Sequence, residues 1–183
     1  MQLFNRLLFA LSIIVISWLL MMTIHEFGHI LGAKLTGGTI NKVVLHPLKI
    51  SRTDVTPNPH PTVVVWLGPI IGSLIPLMLA TIVSTNYHLI KSVSLFFAGF
   101  CLIANGASIG IGSFASIGDC HEMLRTGTPH WMMVGFGITA TVTGLYLWHR
   151  LGSPSMYFGD HTIISRATSL LAAQLLFHSY WLA

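Results

Sequence analysis

The chain has 183 residues, of which 53% are hydrophobic and only 8% charged, where a soluble domain carries roughly a quarter charged residues. With a mean hydropathy of +0.75, these values exclude a soluble globular enzyme and leave an integral membrane protein with room for one bundle of about four to six spans. The net charge of +4 comes mostly from loops, where Lys and Arg are ordinary membrane-flanking residues, so no nucleic-acid partner is inferred and the partner read from composition is membrane lipid.

An apolar run opens the chain. Between Leu3 and Leu20 the only polar residues are Asn5, Arg6, Ser12 and Ser17. Arg6 before an apolar stretch resembles a signal peptide, but the stretch is long and has no small-residue cleavage site near residues 18–24. It is read as a retained first span, about residues 3–33, stopped by Gly32 and the Gly37-Gly38 pair.

The last third of this span contains His25-Glu26-Phe27-Gly28-His29, an H-E-x-x-H pattern. On a helix, histidines four apart share one face, so both imidazoles can reach one ion while the glutamate beside them serves as general base. With ten His and two Glu in the chain, chance would produce the pattern in on the order of one shuffled sequence in two hundred. That makes it informative without making it decisive.

Residues 34–61 change character, with Lys34, Lys42, Lys49, Arg52 and Asp54 followed by Pro57, Pro59 and Pro61. Ile40–Leu45 and Leu48–Val55 are rich in β-branched residues and partly alternating, with His46-Pro47 between them. They predict a short hairpin lying at the membrane interface or against the bundle.

The second span is expected over residues 61–84. It contains Gly68-Pro69, Gly72 and Pro76, which suit a helix lining a cavity and are equally ordinary in membrane helices. A turn over residues 85–91 leads to a third span over about 93–117, whose second half, Asn105–Ser113, is rich in Gly and small polar residues. That half is expected to be either tightly packed or locally unwound. Next comes Gly118-Asp119-Cys120-His121-Glu122, the densest group of ligand-type residues after the first motif. A fourth span is expected over 130–148 and a weaker fifth over 162–181, which contains Arg166 and Gln174. The fold class is therefore an all-α polytopic membrane protein of about five spans, with an interfacial β-hairpin after the first, in one membrane domain over 1–183. Cys101 lies in an apolar run and Cys120 in a polar turn, so no disulfide is indicated.

Topology brings the two ligand groups together. If span one ends on one side of the membrane, span two leaves it and span three returns, so Asp119 emerges on the side where His29 sits. A hydrolytic zinc site takes three protein ligands and one open position. His25 and His29 supply two, and Asp119 is the best third, because an acid at the membrane boundary is costly unless paired or coordinated. Cys120, His121 and Glu122 are the alternatives. Glu26 would move the proton of the attacking water to the leaving amine, and Asn105 would hold substrate or the developing oxyanion. His46 and His60 lie near the motif and are read as loop residues. His88, His130, His149, His161 and His178 sit at span ends and receive no role.

At these residues the chain resembles the site-2 protease family of intramembrane zinc metalloproteases. The resemblance rests on His25-Glu26-Phe27-Gly28-His29 in the first core span, Gly68-Pro69 in the second and Asn105–Asp119 in the third, about residues 10–125 in all. It implies a three-helix core and one zinc ion held by His25, His29 and Asp119, with Glu26 as catalytic base. It further implies substrate contacts at Asn105, Gly68 and Pro69, and a transmembrane protein as substrate, an unwound stretch of which could pair with the hairpin edge. The family's third ligand lies in an Asn/Pro motif ending in Asp-Gly. Here Asp119 is followed by Cys120, and no proline lies between Asn105 and Asp119. The chain leaves no room for a PDZ-like domain, so recognition would be intramembrane or delegated to a partner.

Two other functions use the same residues: a protease-like scaffold without activity, and a haem or electron-transfer protein with histidine axial ligands. The haem reading is weakened by the two histidines sharing one helix. Five cations, Lys34, Lys42, Lys49, Arg52 and Arg125, fall on the motif's side against Arg6, Lys91 and Arg150 on the other, which predicts a cytoplasmic active-site side.

Overall fold

A computed structural model describes residues 2–46 and 51–151. In chain order these form α1 (Gln2–Leu35), β1 (Ile40–Val44), β2 (Arg52–Val55), α2 (Pro61–Ile82), α3 (His88–Ala115), α4 (Asp119–Arg125) and α5 (His130–Arg150). Four of the helices contain stretches long and apolar enough to cross a membrane: Ala10–Leu35, Pro61–Ile82, His88–Ala115 and His130–Arg150. The fifth span expected over 162–181, and Pro47 with the first residues, 48–50, of the expected second strand, lie outside the described residues.

Burial along α1 runs opposite to that of a soluble helix. Ser12 and Ser17 are buried, whereas Leu7, Leu11, Ile14 and Trp18 are exposed, as expected where the surrounding solvent is hydrocarbon and polar groups turn inward. Leu19, Met21 and Met22 of α1 join Cys101 of α3 in an apolar cluster, with Phe97 and Phe100 packed against it.

Small residues let the helices approach. Between α3 and α5, a Cβ added to Gly106 would lie 2.9 Å from the Gly137 carbonyl oxygen, and one added to Gly137 2.5 Å from the Gly110 Cα. This close seam is the packing mode of membrane helices, where dispersion replaces the hydrophobic drive. It resolves the Asn105–Ser113 stretch as packed helix, continuous to Ala115. Trp148 stacks on Phe96 and donates its Nε1–H to the Phe96 carbonyl at 3.0 Å, closing the seam's far end.

The third helix begins at His88, five residues before the expected start at 93, so the connection from α2 is shorter than its polar sequence suggested. Lys91 explains how a charge is accommodated in that first turn. Its ammonium donates to the carbonyls of Ala80 and Val83, covering the open C-terminal end of α2, where cations are favoured. The two described strands pair antiparallel, with an irregularity between Ile40 and Lys42 and with Val43 opposite Thr53.

The segment after α3 is helical where the sequence reads as a polar turn. Ser116 and Gly118 have φ of 52° and 57°, which ends α3 and starts α4 at Asp119. At Gly118 the ψ of −131° belongs to a region open only to glycine. Cys120, expected in a solvated turn, is buried with Ile109, Met123, Met133 and Val65.

Candidate metal centre

His25 and His29 project from one face of α1 towards α2, α3 and α4, as helical spacing requires. Their outer nitrogens are engaged. The Asn105 amide donates from Nδ2 to the Cys101 carbonyl at 2.9 Å, which turns its Oδ1 towards His25 Nδ1 at 2.6 Å. His29 Nδ1 lies 2.9 Å from the Val64 carbonyl oxygen. Both partners are acceptors, so each imidazole carries its proton on Nδ1, an assignment made from the hydrogen-bond network. Each therefore keeps the Nε2 lone pair for an inner partner.

Those lone pairs converge. His25 Nε2 and His29 Nε2 are 3.1 Å apart, and Asp119 Oδ2 lies 2.8 Å from the first and 3.4 Å from the second. Three acceptor atoms this close require a cation among them, either a proton or a metal. Tetrahedral zinc with bonds of about 2.0–2.1 Å separates its ligand atoms by about 3.3 Å, close to the observed edges. The donor set, two nitrogens and one carboxylate oxygen with outer-nitrogen hydrogen bonds, fits zinc. The converging arrangement does not fit haem, whose axial ligands oppose one another across the ring.

The alternative third ligands are turned elsewhere. Cys120 Sγ points to the carbonyls of Ser108 and Ile109 at 3.5 Å, and burial, reinforced by the charge of Asp119, pushes its thiol up to about 11. Glu122 is held by Arg125, whose hydrogen bonds keep its carboxyl below the usual range. His121 lies 3.4 Å from the Ser116 hydroxyl. Asp119 alone of the group faces the histidines. Burial opposes its ionisation, but where a proton rather than a metal lies among the three atoms, hydrogen bonds from protonated His25 and His29, and their charge, hold its carboxyl well below the ordinary carboxylate range.

The residues read as substrate contacts lie behind the histidines. A Cβ at Gly68 would meet the His29 ring at 2.3 Å, and one at Gly72 would meet the Asn105 amide at 3.0 Å. One turn apart on α2, these glycines make room for a metal-facing ring and for the amide that orients the other ring. Pro69 is fully buried, and Asn105 is buried with both ends of its amide engaged inside the protein.

Glu26, also buried, accepts a hydrogen bond of 2.7 Å at Oε2 from the Thr53 hydroxyl of β2. Sequence reading missed Thr53 and the Val64 carbonyl. Neither has a distinctive signal, because one is an ordinary strand residue and the other a backbone group. A cleft of about 520 Å³ opens between β2, the start of α2, and α4. It is lined by His29 and Asp119 on its inner side and by Arg52, Asn58 and Arg125 among its outer residues. The triad thus has a polar approach from the hairpin side.

The sequence profile of the peptidase M50B-like family matches residues 4–112, which include the His25–His29 motif, Gly68, Pro69 and Asn105 and stop short of Asp119. No curated protein and no solved structure matches the chain. Because the match spans more than half of the sequence, the chain belongs to the peptidase M50B-like family, within the site-2 proteases of the membrane.

Proposed function

We propose that the protein is a zinc endopeptidase of the membrane, hydrolysing a peptide bond of a transmembrane protein in or near its span. The observation that carries this reading is the convergence of His25 Nε2, His29 Nε2 and Asp119 Oδ2 within 3.4 Å of one another, with the buried carboxylate Glu26 on the same helix. His25, His29 and Asp119 would hold the ion, which would supply Lewis acidity towards water and the scissile carbonyl. Asn105 and the Val64 carbonyl keep both imidazoles in the metal-binding tautomer. Glu26 takes a proton from the attacking water and returns it to the leaving amine. The cleft between β2 and α4 admits an extended polypeptide, and β2 offers a strand for it to lie along. The cations on the cleft side, Lys34, Lys42, Arg52 and Arg125, favour a cytoplasmic orientation of that side.

Glu26→Gln separates an enzyme from an inactive scaffold. The amide keeps size and hydrogen-bonding capacity but cannot take the proton. The variant is expected to retain one zinc per chain by metal analysis while cleavage of a single-span substrate falls at least a hundredfold. Unchanged cleavage would overturn the mechanism. In the same measurement His25→Ala and Asp119→Ala are expected to purify without zinc.

A further inference from the structure

We propose that Thr53 is a positioning residue for the general base: its hydroxyl, carried on β2, orients the Glu26 carboxylate for proton transfer. The inference rests on the proteolytic reading, in which Glu26 is that base. Glu26 is 2% exposed, and a carboxylate buried this deeply requires a donor. Thr53 supplies one, its Oγ1 lying 2.7 Å from Oε2.

The bond is long-range, 27 residues in sequence, and the backbone of the hairpin determines where it falls. At the hairpin base, Thr39 N–H donates to the Pro57 carbonyl at 3.0 Å and Thr56 N–H to the Thr39 carbonyl at 2.8 Å. Val55 packs on Gly38, where an added Cβ would lie 2.9 Å from its Cγ1. These contacts hold β2 against the end of α1, and Thr53 sits two residues inside them, opposite Val43. A β-branched side chain in a strand is stiff at χ1, so the hydroxyl is presented in a set direction. Engaging Oε2 alone restricts the carboxylate rotamer and leaves Oε1 to accept a proton.

Thr53 also lines the cleft. A polypeptide lying along β2 would therefore rest against the residue that holds the base, which links the substrate-facing strand to the catalytic carboxylate. Valine would suit the strand equally well by β propensity, so what threonine adds at this position is the hydroxyl.

The test compares Thr53→Val and Thr53→Ser with wild type, using a quenched-fluorescence single-span peptide in detergent. Thr53→Val, close in shape, is expected to lower kcat roughly tenfold, the effect of one hydrogen bond to a charged group, with KM and zinc content unchanged. Thr53→Ser restores the hydroxyl and is expected to recover most of the rate. An unchanged kcat in Thr53→Val, or a rise in KM alone, would overturn the proposal.

A second readout needs no activity. In zinc-stripped protein, deuterium uptake across residues 51–56 is expected to rise in Thr53→Val and equally in Glu26→Ala, because either change releases the same tether. Unaltered uptake in both would remove its structural basis. Failure of the wild type to cleave the peptide would overturn the proteolytic reading, and Thr53's role in proton transfer with it, while the exchange measurement reports on the tether separately.

Discussion

Asn105 shows how much of this site is carried by residues that would not touch an ion held by the triad. Its amide spans 2.9 Å to the Cys101 carbonyl and 2.6 Å to His25 Nδ1, so a hydrogen bond inside α3 decides which tautomer a histidine on α1 adopts. Asn105→Leu keeps the volume and removes the acceptor, leaving the His25 Nδ1–H unpaired in a part-buried position. Outer partners of this kind are typically worth 10- to 100-fold in metal affinity, and a loss in that range is expected by competition with a chromophoric chelator. Asn105→Asp restores an acceptor and is expected to bind zinc more tightly than Asn105→Leu. Equal affinities for Asn105→Leu and wild type would refute the tautomer assignment. That His25 and His29 come together was legible in the sequence, because helical spacing converts i, i+4 into proximity. The role of Asn105 was not, since polarity in an apolar run marks a residue as important without saying which way its amide points.

At the scale of the element, α2 is the wall against which the site is assembled. Gly28 brings α1 so close that a Cβ there would lie 2.2 Å from the Leu67 carbonyl oxygen, and Gly68 and Gly72 then receive the His29 ring and the Asn105 amide. Gly68→Ala places its new carbon 2.3 Å from the imidazole, and the Gly28 contact prevents α2 from retreating. The variant is expected to lose zinc while keeping its helical circular dichroism. Gly72→Ala, whose carbon would lie 3.0 Å from the amide nitrogen, needs a shift of only a few tenths of an ångström and is expected to keep most of its metal. Reversal of that order would show that the glycines serve general helix packing. From sequence alone those two uses of glycine look identical, because only the partner across the interface separates them. The spans were legible for the opposite reason: hydropathy over some 20 residues needs no partner to be read. The helix at Asp119–Arg125 escaped because seven residues rich in Asp, His, Glu and Arg carry no such pattern, and its buried face, Cys120 and Met123, rests on α3 and its neighbours.

For the whole molecule, the triad closes a ring. The helix α1 packs on α2, α2 on α3, and α4 follows α3 through the glycine turn at Gly118, so the ligands on α1 and Asp119 on α4 meet at the end of a path through the entire core. Away from the triad, α1 meets α3 in the apolar cluster of Leu19, Met21, Met22 and Cys101, two turns or so back along the helix. An ion held by both ends of the path therefore stabilises the assembled bundle relative to any state in which α1 separates from α4. Binding to the folded state alone contributes about 2.7 kcal/mol when free ligand is a hundredfold above Kd. For a chain of this length each kcal/mol moves the melting midpoint by about 2–4 °C, so stripping zinc with a chelator is expected to lower the midpoint in detergent by about 5–10 °C, restored by added zinc. Tryptophan fluorescence can follow it, since Trp66 and Trp148 report on the α2 and α5 contacts. Asp119→Ala removes the ligand on the far side of the ring, so its midpoint is expected to match that of the stripped wild type and to ignore the chelator. The α3–α5 seam lies outside the ring and is expected to hold in both. A chelator shift of equal size in Asp119→Ala would mean that zinc acts on stability somewhere other than between α1 and α4, and the closed ring would have to be abandoned.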